Sequence, residues 1–271
     1  MRPELLADEL TAACQARVAA VTPPSTREGG FDLDAAYAVE SELVRRRAAA
    51  GHATVGLKVG YANKAMWRVL KLDTLVWAHM YDDTVTLAPD GHARLPVTRW
   101  IAPKIEPEIV FKLKAPLPAG LAEPEAVLAH VEWLALGFEI IDCVYPEWKF
   151  QPSDFLAACG LHAALLVGPP RFLTPDSGSP LAAALAAFTV VLRRADTVVA
   201  EGSGRNVLRN PALCLAELAS ARARRGLPPL EAGDLVSSGT LTESQPIHAG
   251  ERWTAEVQGL DLGRLTVDLD P

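Results

Sequence analysis

The stretch KIEPEIVFKL, Lys104 to Leu113, alternates apolar and polar residues with a period of two. That period marks a strand with one face in a core. Ile105, Ile109, Phe111 and Leu113 share one face; Lys104, Glu106, Glu108, Val110 and Lys112 share the other. Residues two apart on one face lie about 6.5–7 Å apart, so Glu106 and Glu108 repel each other unless something intervenes. An antiparallel sheet can leave such a face in water. Alternatively, a hard divalent cation turns the repulsion into attraction, since Mg²⁺ is held by a few carboxylates and keeps its other positions for water or substrate oxygens. Pro107 has no N–H to give a ladder, which puts this point at a sheet edge, a strand start or a bulge. It also biases Glu106 toward an extended backbone.

The chain is 271 residues long, room for one large domain or one large and one small. Its 49% hydrophobic content supplies a sizeable core. A net charge of −7 without a basic tract argues against nucleic acid or an anionic membrane as partner. No run of about 18 apolar residues occurs, and MRPELLADEL carries charges where a signal peptide would be apolar. Cys14, Cys143, Cys159 and Cys214 are scattered with no CxxC pair, as expected of reduced thiols in a cytoplasmic protein. No dinucleotide fingerprint, phosphate loop, zinc-protease motif or nucleophile elbow is present.

Two helices are expected first, over residues 4–20 and 34–50, the second capped by Asp32 or Asp34 and closed by Gly51. This gives a small helical N-terminal region, residues 1–55. A strand-rich α+β domain follows over 56–271. Within it NKAMWRVLKL reads as a short helix, VTLAPDGHARLPV as a hairpin or loop turning at Asp90-Gly91, and EPEAVLAHVEWLAL as a helix. FEIIDCVY reads as a strand, and DFLAACGLHAALLVG fits either a helix or a buried strand after a turn. FTVVLRRADTVVAEGSG alternates like a hairpin, Asn210 caps a helix from Pro211 to near Gly226, and RWTAEVQGLDLGRLTVDL closes the chain as a strand pair.

Glu139 stands in an otherwise apolar strand, LGFEIIDCVY. Desolvating it unpaired would cost several kcal/mol, so it needs a basic partner, water or a cation. Asp142 falls on the opposite strand face, so the two cannot share a site without a bulge. Glu106, Glu108 and Glu139 together would suit Mg²⁺ or Mn²⁺ better than Zn²⁺, since no His or Cys pattern accompanies them. Lys58, in VGLKVGY, is flanked by Gly56 and Gly60, which leave room for close approach. It is either a lysine on a wet face or an ammonium that holds a carboxylate or relays a proton. Ser237 to Thr242, SSGTLT, offers hydroxyls and N–H groups at a strand end. The six histidines show no metal-ligand spacing, and GSGRN, Gly202 to Asn206, reads as a plain turn or a phosphate loop.

The order GLKVGY, NKAM, KIEPEIVF, GFEIID, SGTLT and a terminal strand pair resembles the fumarylacetoacetate hydrolase superfamily. It is most similar to the branch that contains 2-keto-4-pentenoate hydratase and 4-oxalocrotonate decarboxylase, and the likeness runs from about Asp34 onward. The resemblance implies a β-rich mixed-sheet roll like the family's C-terminal domain, in a homo-oligomer. It implies Mg²⁺ or Mn²⁺ at Glu106, Glu108 and Glu139, a catalytic Lys58, and a substrate carboxylate at Gly239, Thr240 and Leu241. Trp148 in VYPEWKFQPSD matches a tryptophan of that branch. Two departures stand out. Val76 is near the place of an acidic residue, and LAACGLHA, Leu156 to Ala163, replaces a more polar segment; both are expected to make the pocket less polar.

The implied chemistry starts from a small 2-keto acid or 2-hydroxydienoate that chelates the cation through carboxylate and keto oxygens. The cation stabilises the enolate formed at the adjacent carbon. Hydration and decarboxylation both follow from it, which makes a divalent-metal-dependent lyase the leading reading. A C–C bond hydrolase of the acylpyruvate or fumarylacetoacetate type is the alternative, although its His-x-x-Glu dyad has no clear copy here; HVEW at His130 has the wrong spacing and is expected on a helix. A non-catalytic ligand-binding relative is the third.

Overall fold

The computed structural model describes residues 2–271, apart from the side chain of Asp176. Helices α1 (Pro3–Ala16) and α2 (Leu33–Ala49) come first, then strand β1 (Thr54–Gly60), α3 (Lys64–Leu70), β2 (Val76–Tyr81), β3 (Val85–Leu87), β4 (His92–Pro96) and β5 (Lys104–Leu113). The middle of the chain forms α4 (Pro124–Leu128), β6 (Val131–Ile141), α5 (Pro152–Ala157), β7 (His162–Val167), β8 (Arg171–Phe172) and α6 (Gly178–Ala187). The last part forms β9 (Thr189–Arg194), β10 (Thr197–Ser203), α7 (Pro211–Arg224), β11 (Leu235–Ser237), β12 (Gln245–Pro246), β13 (Arg252–Gln258) and β14 (Arg264–Asp270).

Two mixed sheets result. The larger runs β2-β1-β11-β5-β6-β7-β3, with β12 also on β5 and β8 also on β6. The smaller runs β10-β9-β13-β14-β4. The spine of the larger sheet is the antiparallel pair β5–β6, in register from Lys104 opposite Ile141 to Lys112 opposite Trp133. On its other side β5 meets β11, which is parallel to β1. Lys58 thus reaches the face of β5 that carries its glutamates, with only Ser237 of β11 between the strands.

The local signals worked where side chains cap helices. Asp32 accepts from the Ala35 N–H, Asn63 from Ala65 and Asn210 from Ala212, each satisfying an orphan donor of a first turn. Helices α1 and α2 do not stand apart from the sheets. Leu6, Leu10, Ala36 and Val39 share one apolar cluster with Val76, Ile141, Tyr145, Phe155 and Leu156.

Several expectations are corrected. Helix α1 ends at Ala16, closed by Arg17 in a left-handed conformation. The segment 85–97 is not a hairpin: β3 pairs with β7 in one sheet and β4 with β14 in the other. Only Pro124–Leu128 of the expected helix is helical, and its remainder is β6. Both faces of β6 are buried, so it reads as a continuous apolar run that period alone cannot tell from a helix. His130 therefore lies between α4 and β6, not on a helix. Pro107 is not at a sheet edge. It faces the gap between β11 and β12, where its carbonyl accepts from the Leu241 N–H at 2.9 Å and no ladder donor is required.

Candidate metal centre

Glu106, Glu108 and Glu139 converge: one carboxylate oxygen from each lies within 4.8 Å of the others. The cause is register. Glu106 stands opposite Glu139 on the β5–β6 ladder, and Glu108 follows two residues later on the same face. Glu108 and Glu139 are fully buried and Glu106 half-buried. Glu108 Oε2 accepts hydrogen bonds from the Ser237 hydroxyl and from the Gly239 N–H at 2.9 Å. Gly239 aims that N–H from a φ of +97°, which a side chain would resist. Glu108 Oε1 has no partner in the protein.

Glu139 is held from two sides. Its Oε1 accepts from His162 Nδ1 at 2.9 Å, and the other ring nitrogen of His162 lies 2.9 Å from Thr84 Oγ1. Its Oε2 lies 3.0 Å from Lys58 Nζ, an ion pair that lacks hydrogen-bond alignment. Lys58 Nζ donates to the Gly160 carbonyl at 2.9 Å and sits 4.8 Å from the Phe155 ring centroid. Gly160 has a φ of +61°, and a Cβ there would come within 2.9 Å of Lys58 Cδ, so the lysine is packed in place.

The electrostatics are unbalanced without a cation. Burial pulls the Lys58 ammonium down, but Glu139, Glu106 and Glu108 outweigh it and hold Lys58 above its ordinary value. Burial also opposes ionisation of Glu139, yet Lys58 and His162 prevail and hold it low. Burial and the neighbouring carboxylates push Glu108 well up, and burial pushes Glu106 to about 7. With all three glutamates ionised against one ammonium, two negative charges remain. One divalent cation offsets that, and the unpartnered Glu108 oxygen supplies a ligand atom. An all-carboxylate set suits Mg²⁺ or Mn²⁺, so the residues fit such an ion.

Glu106 and Lys58 line a cavity of about 830 Å³. Tyr61, Trp148, Phe150 and Phe155 form an aromatic wall, and Lys104, Asn206 and the 239–245 segment complete it. Gly239, Thr240 and Leu241 all line it, but their free groups are few. Gly239 N–H serves Glu108, and Thr240 Oγ1 donates to the Thr242 carbonyl. The Leu241 side chain is fully buried, its N–H serves Pro107 and its carbonyl accepts from Asn206 Nδ2 at 2.7 Å.

Residues 70–269 match the model of the fumarylacetoacetate (FAA) hydrolase C-terminal family. The chain belongs to that family. Within the fumarylacetoacetate hydrolase family, a 4-oxalocrotonate decarboxylase of Pseudomonas sp. strain CF600 is 32% identical over 226 residues, covering 83% of this chain and 81% of that protein. A 2-hydroxyhexa-2,4-dienoate hydratase of Comamonas testosteroni is 27% identical over 240 residues, 89% of this chain and 88% of that protein. The structure of 4-oxalocrotonate decarboxylase from Pseudomonas putida G7, complexed with magnesium and adipate, superposes with a TM-score of 0.85 at 26% identity, covering 98% of this chain and 96% of that one. The fold is thus the mixed-sheet roll of the fumarylacetoacetate hydrolase family.

The two apolar departures turn out differently from expectation. Val76 is buried against the helices, and neither it nor Cys159 lines the cavity. Of the segment Leu156 to Ala163, Leu161 does. Asp142 serves elsewhere, accepting from the Ile101 and Ala102 N–H groups at 2.8 Å. His162 was invisible as a partner of Glu139 because the β6–β7 register shifts between Ile140 and Ile141; no spacing rule reads across a bulge. Asn206, in the GSGRN turn, supports the 239–242 loop rather than a phosphate. A second group, His52, Asp82 and Asp83, lies at the surface, where Arg47 already pairs with Asp83.

Proposed function

We propose that this protein is a divalent-metal-dependent lyase, a hydratase or decarboxylase acting on a small 2-keto acid or 2-hydroxydienoate. One observation carries the reading: three carboxylates, two of them fully buried, and one ammonium converge where a cavity of substrate size begins. The relatives named above are enzymes of both reaction types. Mg²⁺ or Mn²⁺ at Glu106, Glu108 and Glu139 would take up the substrate's carboxylate and 2-keto oxygens and offset charge developing there.

The chain's own residues do the rest. Lys58 is held protonated, so it serves as a proton donor or carboxylate anchor rather than as a free base. His162 and Ser237 fix the orientation of Glu139 and Glu108, as supporting groups of a metal site do. Gly239, Thr240 and Leu241 shape the wall against which the substrate lies. The aromatic wall excludes water from the conjugated part of the substrate. Among the described residues no histidine lines the cavity. The His-x-x-Glu dyad expected of a C–C hydrolase therefore has no copy at the cavity, which leaves hydrolysis as the second reading.

All of these residues fall in 56–271, which we take as the catalytic part; residues 1–55 brace it through the shared cluster under α5. No helix of the described residues is long and apolar enough to cross a membrane, and all four cysteines are free. Both fit a cytoplasmic enzyme. Met66 and Val69 are exposed on α3, which buries none of its own residues; they fit a contact within a homo-oligomer. The test is direct. With Mg²⁺ the protein should consume the ultraviolet band of 2-hydroxypenta-2,4-dienoate, or release CO₂ from 4-oxalocrotonate, and EDTA should abolish either. Activity that survives EDTA and full metal removal sinks the reading.

A further inference from the structure

We propose that Thr84, in the turn after β2, is a positioning residue of the metal centre: its hydroxyl holds the far nitrogen of His162, and the ring in turn holds Glu139 with Oε2 toward the cluster. The inference rests on the reading of the three glutamates as a cation site, and it adds what keeps one of them aimed.

Two local features bring the pair to Glu139. Strand β7 pairs Ala164 with Ile140 but His162 with Ile141, so Ala163 is an extra residue in the ladder. In an unbroken strand His162 would share a face with Ala164. The extra residue turns it onto the face of Ile141 and Glu139, because residues opposite each other in a ladder share a face and bulges re-aim side chains in this way. Behind the ring, the backbone stitches Thr84 into place. Its N–H donates to the Tyr81 carbonyl at 3.0 Å, and its carbonyl accepts from the Leu165 N–H at 2.8 Å. The His162 side chain is 2% exposed, with Nδ1 2.9 Å from Glu139 Oε1 and Nε2 2.9 Å from Thr84 Oγ1. The ring is thus fixed at both nitrogens.

Donor and acceptor counts place the hydrogens. Thr84 Oγ1 accepts from the Tyr81 N–H at 3.1 Å and has one hydrogen to give. The Tyr81 carbonyl, 3.0 Å away, already receives the Thr84 N–H. Nε2 has no other hydrogen-bond partner among the described residues, so the hydroxyl serves it. Nδ1 faces a carboxylate, which would repel a lone pair, so the ring hydrogen belongs there. The chain then runs one way, from Tyr81 N–H to Thr84, from Thr84 O–H to Nε2, and from Nδ1–H to Glu139 Oε1. Oε1 is thereby taken. Oε2, 3.0 Å from Lys58 Nζ and without a hydrogen bond, is the oxygen left for the cluster. Supporting groups of this kind change metal affinity by about 10–100-fold.

Thr84→Val keeps the branched shape and removes the hydroxyl; Thr84→Ser keeps the hydroxyl. Calorimetric titration with Mn²⁺ alone, without substrate, reads the cation site directly. Affinity should fall about tenfold or more in Thr84→Val and stay within about twofold of wild type in Thr84→Ser. Nitrogen-15 spectra of the His162 ring give a second readout that needs no variant. The wild-type ring should carry its hydrogen on Nδ1, with Nε2 shifted by the hydrogen bond it accepts, and Thr84→Val should return Nε2 to the position of a free ring nitrogen. Equal Mn²⁺ affinity in wild type and Thr84→Val overturns the proposal and leaves the cation site standing, as does an equal loss in Thr84→Ser. A wild-type hydrogen on Nε2 overturns it too, even where Thr84→Val does not fold. If the wild type takes up no Mn²⁺, the reading of the site fails and the proposal with it.

Discussion

Glu106 and Glu139 stand opposite each other in register on two antiparallel strands, β5 and β6. Like charges so placed destabilise a sheet by up to about 1 kcal/mol, and burial makes ionisation of Glu106 harder still. Glu106→Gln removes the repulsion and one ligand together. The variant should melt about 2–4 °C higher than wild type without metal, the shift that about 1 kcal/mol gives in a chain of this size. It should also lose most of the Mg²⁺-dependent rise in Tm. A variant that still gains the full wild-type increment from Mg²⁺ would show that Glu106 holds no cation.

The same pair sets a pH dependence in metal-free protein. Glu106 is raised from an ordinary 4.5 to about 7, and Glu108 is raised well above 4.5. Between those values the folded state holds protons that the unfolded chain releases, so stability falls as pH rises. The loss from pH 5 to 7.5 should be on the order of 2 kcal/mol, and Mg²⁺ should remove most of it. Glu42, held at about 2 by Arg45 and Arg46, acts with the opposite sign: its contribution is present above its unfolded value and lost as pH falls. That window lies below about pH 4.5 and does not overlap. Urea midpoints at four pH values, with and without Mg²⁺, check the sign. A metal-free midpoint that rises toward pH 7.5 contradicts the account.

Lys58 is the counter-charge of Glu139, 3.0 Å away, and both are buried. Removing one partner of a buried pair leaves an uncompensated charge and costs about 3–5 kcal/mol. Lys58→Met should therefore lose roughly that much stability in EDTA, read from urea unfolding. Saturating Mg²⁺ should restore a large part, because a cation near Glu139 replaces the lost charge. Turnover should stay absent even where stability returns. Restored activity in Lys58→Met would reduce the residue to a structural role.

The alternation in KIEPEIVFKL marked both ends of β5 and its glutamate face, because the polar residues Lys104, Glu106, Glu108 and Lys112 keep the period of two even though Glu108 and Val110 are buried. Asn210 with Pro211 marked the start of α7, and the alternation of FTVVLRRADTVVAEGSG the hairpin of β9 and β10, because those signals are local. The failures are non-local. β6 is buried on both faces, so its first half looked helical. β3 and β4 are sequence neighbours sent to different sheets, which no turn signal encodes. At the site, the residue types Glu, Glu, Glu and Lys were legible because a carboxylate in an apolar strand has to be compensated. His162 and Thr84 were not, since a bulge hides the first and the second meets it only across the fold.

Asp154 ties the N-terminal region to the wall of the cavity. It is fully buried at the start of α5 and accepts from the Ser25 N–H at 2.7 Å, the Ser25 hydroxyl and the Gln151 N–H at 2.8 Å. The next residue, Phe155, packs over Lys58. Asp154→Ala leaves three donors without their acceptor, at a cost of about 3 kcal/mol. Asp154→Asn should be nearly as damaging, since its amide presents N–H groups to donors. Loosening α5 should also free Phe155, so KM should rise in both variants under conditions where they remain folded. Hydrogen exchange at the Ser25 amide should quicken. A loss below about 0.5 kcal/mol, with Ser25 still protected, would mean that the N-terminal region is held by its apolar contacts alone.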